Sequence, residues 1–318
     1  MNVTEIINLA REYLDEPSDE ASDYPDSSLI QFINAEHRHL YSVIRSTYED
    51  WQGKEYIFPV TSGTLIYTLP RDIVHPRRVE LISSGVTQTT DTSVSPNYSY
   101  YTVDEANVVV DEILPQAMGD NQSGQALDYV QNRVRQIEGY SMWDSTIRFS
   151  NGVDLSGTQY CRIFYMPTSI DLHQAVCGGA GSNYITLGTS GAATTVGNIR
   201  KIDGYYKGAY VEIVSGNGAR EIKRIDRHDP TSGTIWIEGT WTTTPNTSSV
   251  YSIVSPLIED YQELLALGAT IRGKGLKTED DVSVVGTIYS ELLADLKSSL
   301  EKRNEQRVRR VKRTSGGY

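Results

Sequence analysis

The side chains able to do chemistry are few and scattered. The chain holds five histidines, two cysteines and 41 carboxylates. His37 and His39 stand two residues apart, which on a helix points them about 200° from each other, so they cannot share a metal ion. His75, His173 and His228 fall in stretches with no ligand spacing. Cys161 and Cys177 are too few for a disulfide scaffold or a cysteine-rich metal site and read as free thiols. GxSxG, HExxH and GxxxxGK[ST] patterns do not occur, and the glycines of GGAGSN lack the lysine and the strand-to-helix setting of a phosphate loop. Two carboxylates are enough to cleave a glycoside. A sugar-cleaving chain would carry more than four tryptophans and four phenylalanines for stacking, however. The expectation is a protein without catalysis, metal or cofactor.

Binding is the better-supported class of function. Tyrosine occurs 21 times, and its stiff ring with a polar tip suits both contact surfaces and half-exposed strands. The 29 bases against 41 acids give a net charge of -12, which argues against a sequence-reading nucleic-acid binder and a binder of anionic membranes. No apolar run approaches 18 residues, and the first residues lack a secretory pattern, so a cytoplasmic origin and no membrane are expected. Charge is uneven. Residues 300 to 318 carry seven bases and two acids, +5, which leaves -17 on the first 299. Such a tail is either a solvated helix end or a docking peptide for an acidic surface.

The elements that would position these groups fall into three blocks. Helical periodicity runs from Val3 to Leu14, and again from Asp26 or Ser27, as a cap, to about Tyr48. Between them, Glu12 to Asp26 hold seven carboxylates and no base. Glu36 interrupts the apolar face of the second helix; it either snorkels to solvent or meets an arginine of the same fold, or it forms an ion pair across a subunit interface. Strands follow. Glu55–Val60 and Leu65–Leu69 read as a hairpin around TSGT, and Arg148–Ser150 and Gln159–Met166 as a second pair. Between Arg78–Ile82 and Asn107–Leu114, the stretch TQTTDTSVSPNYSYYT reads as a long polar loop.

CGGAGSN then resembles a flexible hinge into five short strands at roughly ten-residue spacing, the pattern of a small barrel or sandwich. After Pro256 two helices return, the first broken at Gly273-Lys274-Gly275 and the second opened by Thr278 and Asp281 and weakened at Gly286. The predicted class is α+β: a helical bundle from both chain ends, 1–52 and 256–318, a β-rich region over 53–175, and an inserted small all-β barrel over 176–255.

The helix Ser27-Ser-Leu-Ile-Gln-Phe-Ile-Asn-Ala-Glu-His, the stretch Gly63-Thr-Leu-Ile-Tyr-Thr-Leu-Pro70, then Arg78-Val-Glu, and Ile258-Glu-Asp-Tyr-Gln-Glu-Leu-Leu-Ala-Leu-Gly-Ala resemble the head-to-tail adaptor (connector) proteins of tailed bacteriophages. Ile202-Asp-Gly-Tyr-Tyr-Lys-Gly-Ala-Tyr and the residues after it are similar to a small β-barrel module of phage neck, tail and fibre proteins. The resemblance implies a virion protein: a dodecameric ring under the portal protein, with genomic DNA passing through its lumen without sequence-specific binding. It further implies that Arg307, Arg309, Arg310, Lys312 and Arg313, with Tyr318 as an aromatic anchor, dock on the portal, and that Glu36 is available between subunits. Tyr205, Tyr206 and Tyr210 would be offered to a tail fibre, a tail nozzle or a neighbouring copy, or would fill the module's own core. The competing class is a receptor- or glycan-binding tail protein.

Overall fold

The computed structural model describes residues 1–16, 23–47, 53–71, 73, 75–92, 97–104, 109–115, 139–143, 145–149, 159–188, 199–200, 202–257, 259–276 and 282–308. Helices and largely antiparallel sheets occur together, as expected of an α+β chain, with one parallel pair between the strands 109–115 and 139–143. The chain divides into two units, one made of residues 1–51 and 169–318 and the other of residues 52–168.

The first unit opens with α1 (Val3–Leu14) and α2 (Asp26–Thr47). The side chain of Asn2 accepts from the Glu5 N–H (3.0 Å) while the Glu5 carboxylate accepts from the Asn2 N–H (2.9 Å), so two otherwise orphaned amides of the first turn are satisfied. Asp26 does not cap α2. The helix starts one residue earlier in hydrogen bonding, with Pro25 O receiving the Ser28 and Leu29 amides, and Asp26 instead pairs with the buried Arg11 of α1 at 2.6 Å. A 3-10 turn at Glu259–Tyr261 leads into α3 (Glu263–Leu276), and α4 (Ser283–Val308) follows. Ile6, Ile7 and Ala10 of α1, Leu29, Ile33, Leu40 and Ile44 of α2, Leu264, Leu265 and Ala269 of α3, and Leu296 and Leu300 of α4 form one apolar cluster. α3 runs through Gly273 and Gly275, where a break was expected. A Cβ at Gly273 would make ordinary contact with Leu14 and Tyr24 at 3.4 Å, and the Tyr24 hydroxyl donates to Gly273 O at 3.0 Å. Thr278 and Asp281 lie outside the described residues.

The same unit carries a β module. Its strands are β10 (Gln174–Val176), β11 (Gly179–Ala180), β12 (Tyr184–Thr186), β13 (Tyr210–Ser215), β14 (Ile222–Asp229), β15 (Thr234–Ile237) and β16 (Val250–Val254), in the order β10-β16-β13-β14-β15-β12-β11. The order begins and ends in one continuous segment, 174–180, and β14 gives its first half to β13 and its second to β15, so the sheet folds over its own apolar side. The supposed hinge at 177–183 is therefore part of the frame. Cys177 is buried and its N–H donates to Ser249 O, Gly178 N–H donates to Thr186 O, and Gly181 lies so close under the Tyr184 ring that a Cβ would not fit.

The second unit is built on β1 (Lys54–Val60), β2 (Ile66–Thr68), β3 (His75–Ser84), β6 (Val109–Pro115), β7 (Gly139–Trp143), β8 (Thr146–Phe149) and β9 (Gln159–Met166), ordered β1-β9-β3-β6-β7-β8-β2. Neither expected hairpin forms: β1 pairs with β9 and β2 with β8. Alternation sets which face of a strand is buried, and leaves the partner open. β1 and β2 stand at opposite ends of the order, yet Phe58 and Tyr67 bring their rings to 5.3 Å, so the sheet curls round Ile147, Phe149, Cys161 and Ile163. The expected polar loop is a second, two-stranded sheet of β4 (Val86–Asp91) and β5 (Tyr98–Val103), paired in register over six residues.

Candidate interaction sites

α2 is the element on which the polar groups of the first unit converge. Glu36 sits between Ile33 and Leu40 on its apolar side and is 3% exposed. One carboxylate oxygen accepts from Arg272 Nε (3.2 Å) and Nη2 (3.0 Å) of α3; the other accepts from the Tyr289 hydroxyl of α4 (2.6 Å) and lies 3.0 Å from His39 Nδ1. Of the two partners considered for this carboxylate, the one found is the arginine of the same chain. Space for it is made by Gly268 of α3, where a Cβ would overlap the Glu36 side chain. Burial, and then the hydrogen bond to Glu36 and its charge, push the Tyr289 phenol well above its usual value, so it stays a donor. A second bolt on α4 runs from the Tyr261 hydroxyl to Asp295 at 3.0 Å.

Within a turn of Glu36, Asn34, His37 and Arg38 of α2 hold the extended segment 169–172. The Asn34 amide takes both backbone groups of Leu172 (2.7 and 3.2 Å), His37 Nδ1 lies 2.9 Å from Ile170 O, and Arg38 pairs with Asp171 at 2.9 Å. Asp171 is buried. Its other oxygen accepts from Arg200 of the β module at 2.6 Å, and its N–H donates to the Tyr205 hydroxyl. The hydrogen bond from Arg200 to the Asp171 carboxylate, and then that carboxylate's charge, hold the Arg200 guanidinium above its usual value. His37 is wholly enclosed, so burial drives its imidazole down to about 4 against a weaker opposing pull from the Ile170 carbonyl. Sequence reasoning did not find this node; its one signal, three hydrogen-bonding residues within five positions of a helix, has no partner visible at a distance of over 130 residues.

The tyrosines considered for an outer partner are divided by the structure. Tyr205 and Tyr206 are 5% and 0% exposed, their rings meet edge to face at 4.9 Å, and both belong to the module's apolar cluster, so neither is open to a partner. Tyr210 is 40% exposed and lies across the β13–β14 ladder from Arg224, beside the exposed Ile222. Of the basic tail, the backbone of α4 includes Arg307, whose side chain is outside the described residues, as are Arg309, Arg310, Lys312, Arg313 and Tyr318.

The histidines with described side chains are used in hydrogen bonding: His37 and His228 with backbone carbonyls, His39 with Glu36 and His173 with the Tyr251 hydroxyl. Among the described residues no group of His, Cys, Asp and Glu is placed to hold a metal ion. No described helix is long and apolar enough to cross a membrane. The second unit holds a further buried pair, Glu80 of β3 with Arg162 of β9 at 2.7 Å, in the stretch that includes Arg78-Val-Glu.

Compared with known proteins, the chain matches the family model described as SU10 adaptor protein over residues 1–171, more than half its length, and it belongs to that family. No curated protein matches it. It is thus a phage adaptor-type protein, a structural component of a virion. The matched region takes in α1, α2 and the sheets of the second unit and ends at Asp171, the residue that ties α2 to the β module.

Proposed function

We propose that this member of the SU10 adaptor family forms a ring of twelve copies beneath the portal, joins the DNA-filled head to the tail without catalysis, and continues the DNA channel. The observation that carries the reading is the family match over 1–171. Charge supports it. Twelve chains at -12 each give 12 × -12 = -144 before screening, and an acidic lumen repels the DNA backbone so that it slides without sticking.

In this reading the helical core, 1–52 with 256–318, builds the ring, 53–175 forms its β-rich body, and 176–255 is an inserted small β-barrel. Glu36 serves the ring by locking α3 and α4 onto α2 within each copy. Tyr210, with Ile222 beside it, is the outward contact for a tail nozzle or tail fibre protein. The basic tail grips the portal: Arg307, Arg309, Arg310, Lys312, Arg313 and Tyr318 order along an acidic groove.

Truncation tests this. Leu296 and Leu300 are buried in the helical cluster, so the cut belongs after residue 308, where removal spares the core. The protein lacking 309–318 should keep its melting temperature and lose portal binding by about tenfold or more, as expected for removing several charges that meet an acidic surface. Unaltered binding of the truncated form to purified portal would overturn the docking role.

A further inference from the structure

The β4–β5 sheet has two strands and, among the described residues, no third. The Asp104 N–H donates to Gly85 O at 2.7 Å, which marks that pair as hydrogen-bonded. Antiparallel ladders alternate, so the pairs Thr87–Thr102, Thr89–Tyr100 and Asp91–Tyr98 also turn their backbone groups inwards. Val86, Gln88 and Thr90 of β4, and Ser99, Tyr101 and Val103 of β5, accordingly turn their N–H and C=O groups away from the ladder. Each strand thus presents an edge of three residues.

Proteins normally shield such edges with lysine, proline or bulges. Here β4 and β5 contain none of these, and Asp91 is the only charged residue in the whole stretch from 81 to 103. Support from the rest of the unit is thin. Most side chains of the ribbon are exposed or half-buried, and Tyr101 meets Tyr160 of β9 at 5.4 Å while Tyr98 and Tyr100 stack on each other. A two-stranded ribbon of this kind is marginal alone and gains from a third strand.

We propose that this ribbon is the edge by which copies of the chain join, the β4 edge of one copy adding to the β5 edge of the next. A second copy is the occupant that charge favours. Outside its tail the chain carries -17, so two copies repel over most of their surface, whereas the ribbon is nearly free of charge and its two edges match in length and carry no charged residue. The inference rests on the ring reading, because a ring needs a head-to-tail contact; β4 against β4 would close a dimer. Since β4 and β5 run antiparallel, β4 of the neighbour continues the sheet with the same alternation.

Two variants test it in the full-length protein. Gln88→Pro removes an outward N–H and leaves the inward ladder whole, and Thr90→Lys puts a charge on the edge. Both should fold with wild-type circular dichroism and melting, while ring formation, followed by native mass with and without purified portal, should need about tenfold or more protein, equivalent to 1.4 kcal/mol or more. In the wild-type ring the amides of Val86, Gln88, Thr90, Ser99, Tyr101 and Val103 should exchange hydrogen at least about tenfold more slowly than in the monomer. Rings that form with these amides still fast, or variants that assemble like wild type, would overturn the ribbon contact and leave the ring standing. Slow exchange already in the monomer would mean that the edge is covered within one chain and would overturn it too, as would assembly that stops at dimers. A wild-type protein that makes no ring, alone or on portal, would defeat the ring reading and this inference with it.

Discussion

Gly268 and Gly286 are both helical glycines, and their surroundings give them opposite roles. Replacing a helix glycine by alanine ordinarily stabilises by about 1 kcal/mol, because alanine loses less backbone freedom on folding. Gly286 has nothing within 4 Å of a would-be Cβ, so Gly286→Ala should raise stability by up to about 1 kcal/mol. At Gly268 the same methyl would overlap Glu36 and push its carboxylate off Arg272 and Tyr289, leaving a buried charge short of partners. Gly268→Ala should therefore cost roughly 1–3 kcal/mol despite its better propensity, half-exposure of Arg272 keeping the loss below that of a fully enclosed pair. Urea unfolding of the two variants checks the sign; a stabilised Gly268→Ala would show that Glu36 has room to move. Sequence marked Glu36 as an acid on an apolar face, while the Gly268 that makes room for it lies in a distant helix. That the two face each other 232 residues apart (268 − 36) was not legible, and neither was the Glu80–Arg162 pair, because helical or strand period says nothing of which distant element supplies a partner.

At the scale of elements, α2 is both a core helix and the clamp for the segment 169–172, and this makes it sensitive to acid. Burial holds His37 at about 4, and His173, enclosed next to Tyr251, is likewise driven down to about 4. In the unfolded chain both imidazoles take a proton near 6.5, so between about 6.5 and about 4 the unfolded state binds more protons and stability falls as pH falls. If fully expressed this amounts to about 3 kcal/mol for each histidine. Carboxylates add their own dependence, so the test is a comparison: melting temperature against pH for wild type and for His37→Asn. The asparagine keeps a donor for Ile170 O, so the variant should melt lower at neutral pH and lose less between pH 6.5 and 4; parallel curves would remove His37 from the acid response. Helices α1 and α2 and five of the seven strands of the β module were legible from their apolar pattern, whereas β10 was not and β11 falls in the stretch that reads as a hinge. Strand pairing in the second unit was not legible. The β1 and β2 segments alternate as a hairpin would, and only the register with β9 and β8 reveals that they belong to opposite ends of a curled sheet. The β4–β5 ribbon looks like a loop in sequence because its threonines, tyrosines and glutamine bury no apolar face, and a strand without a buried face leaves no alternation to detect.

For the whole molecule, the uneven charge makes two contacts respond to salt in opposite ways. The first 299 residues carry -17 and the last 19 carry +5, from seven bases and two acids. Copies that approach body to body repel, and added salt shortens the reach of that repulsion from about 10 Å at 0.1 M to about 3 Å at 1 M. Ring formation should therefore become easier as salt rises. Docking of the basic tail on an acidic portal groove is an attraction between opposite charges, and the same screening should weaken it. Sedimentation of the protein alone, and binding to purified portal, each measured between about 0.05 and 0.5 M salt, should thus give slopes of opposite sign. Removing residues 309–318 should flatten the portal slope, since Arg309, Arg310, Lys312 and Arg313 leave with it, and should steepen the self-association slope, because the remaining chain is more negative by those four charges. Slopes of the same sign would mean that ring contact and portal contact share one kind of surface, and the division between a repelling acidic body and a gripping basic tail would have to be given up.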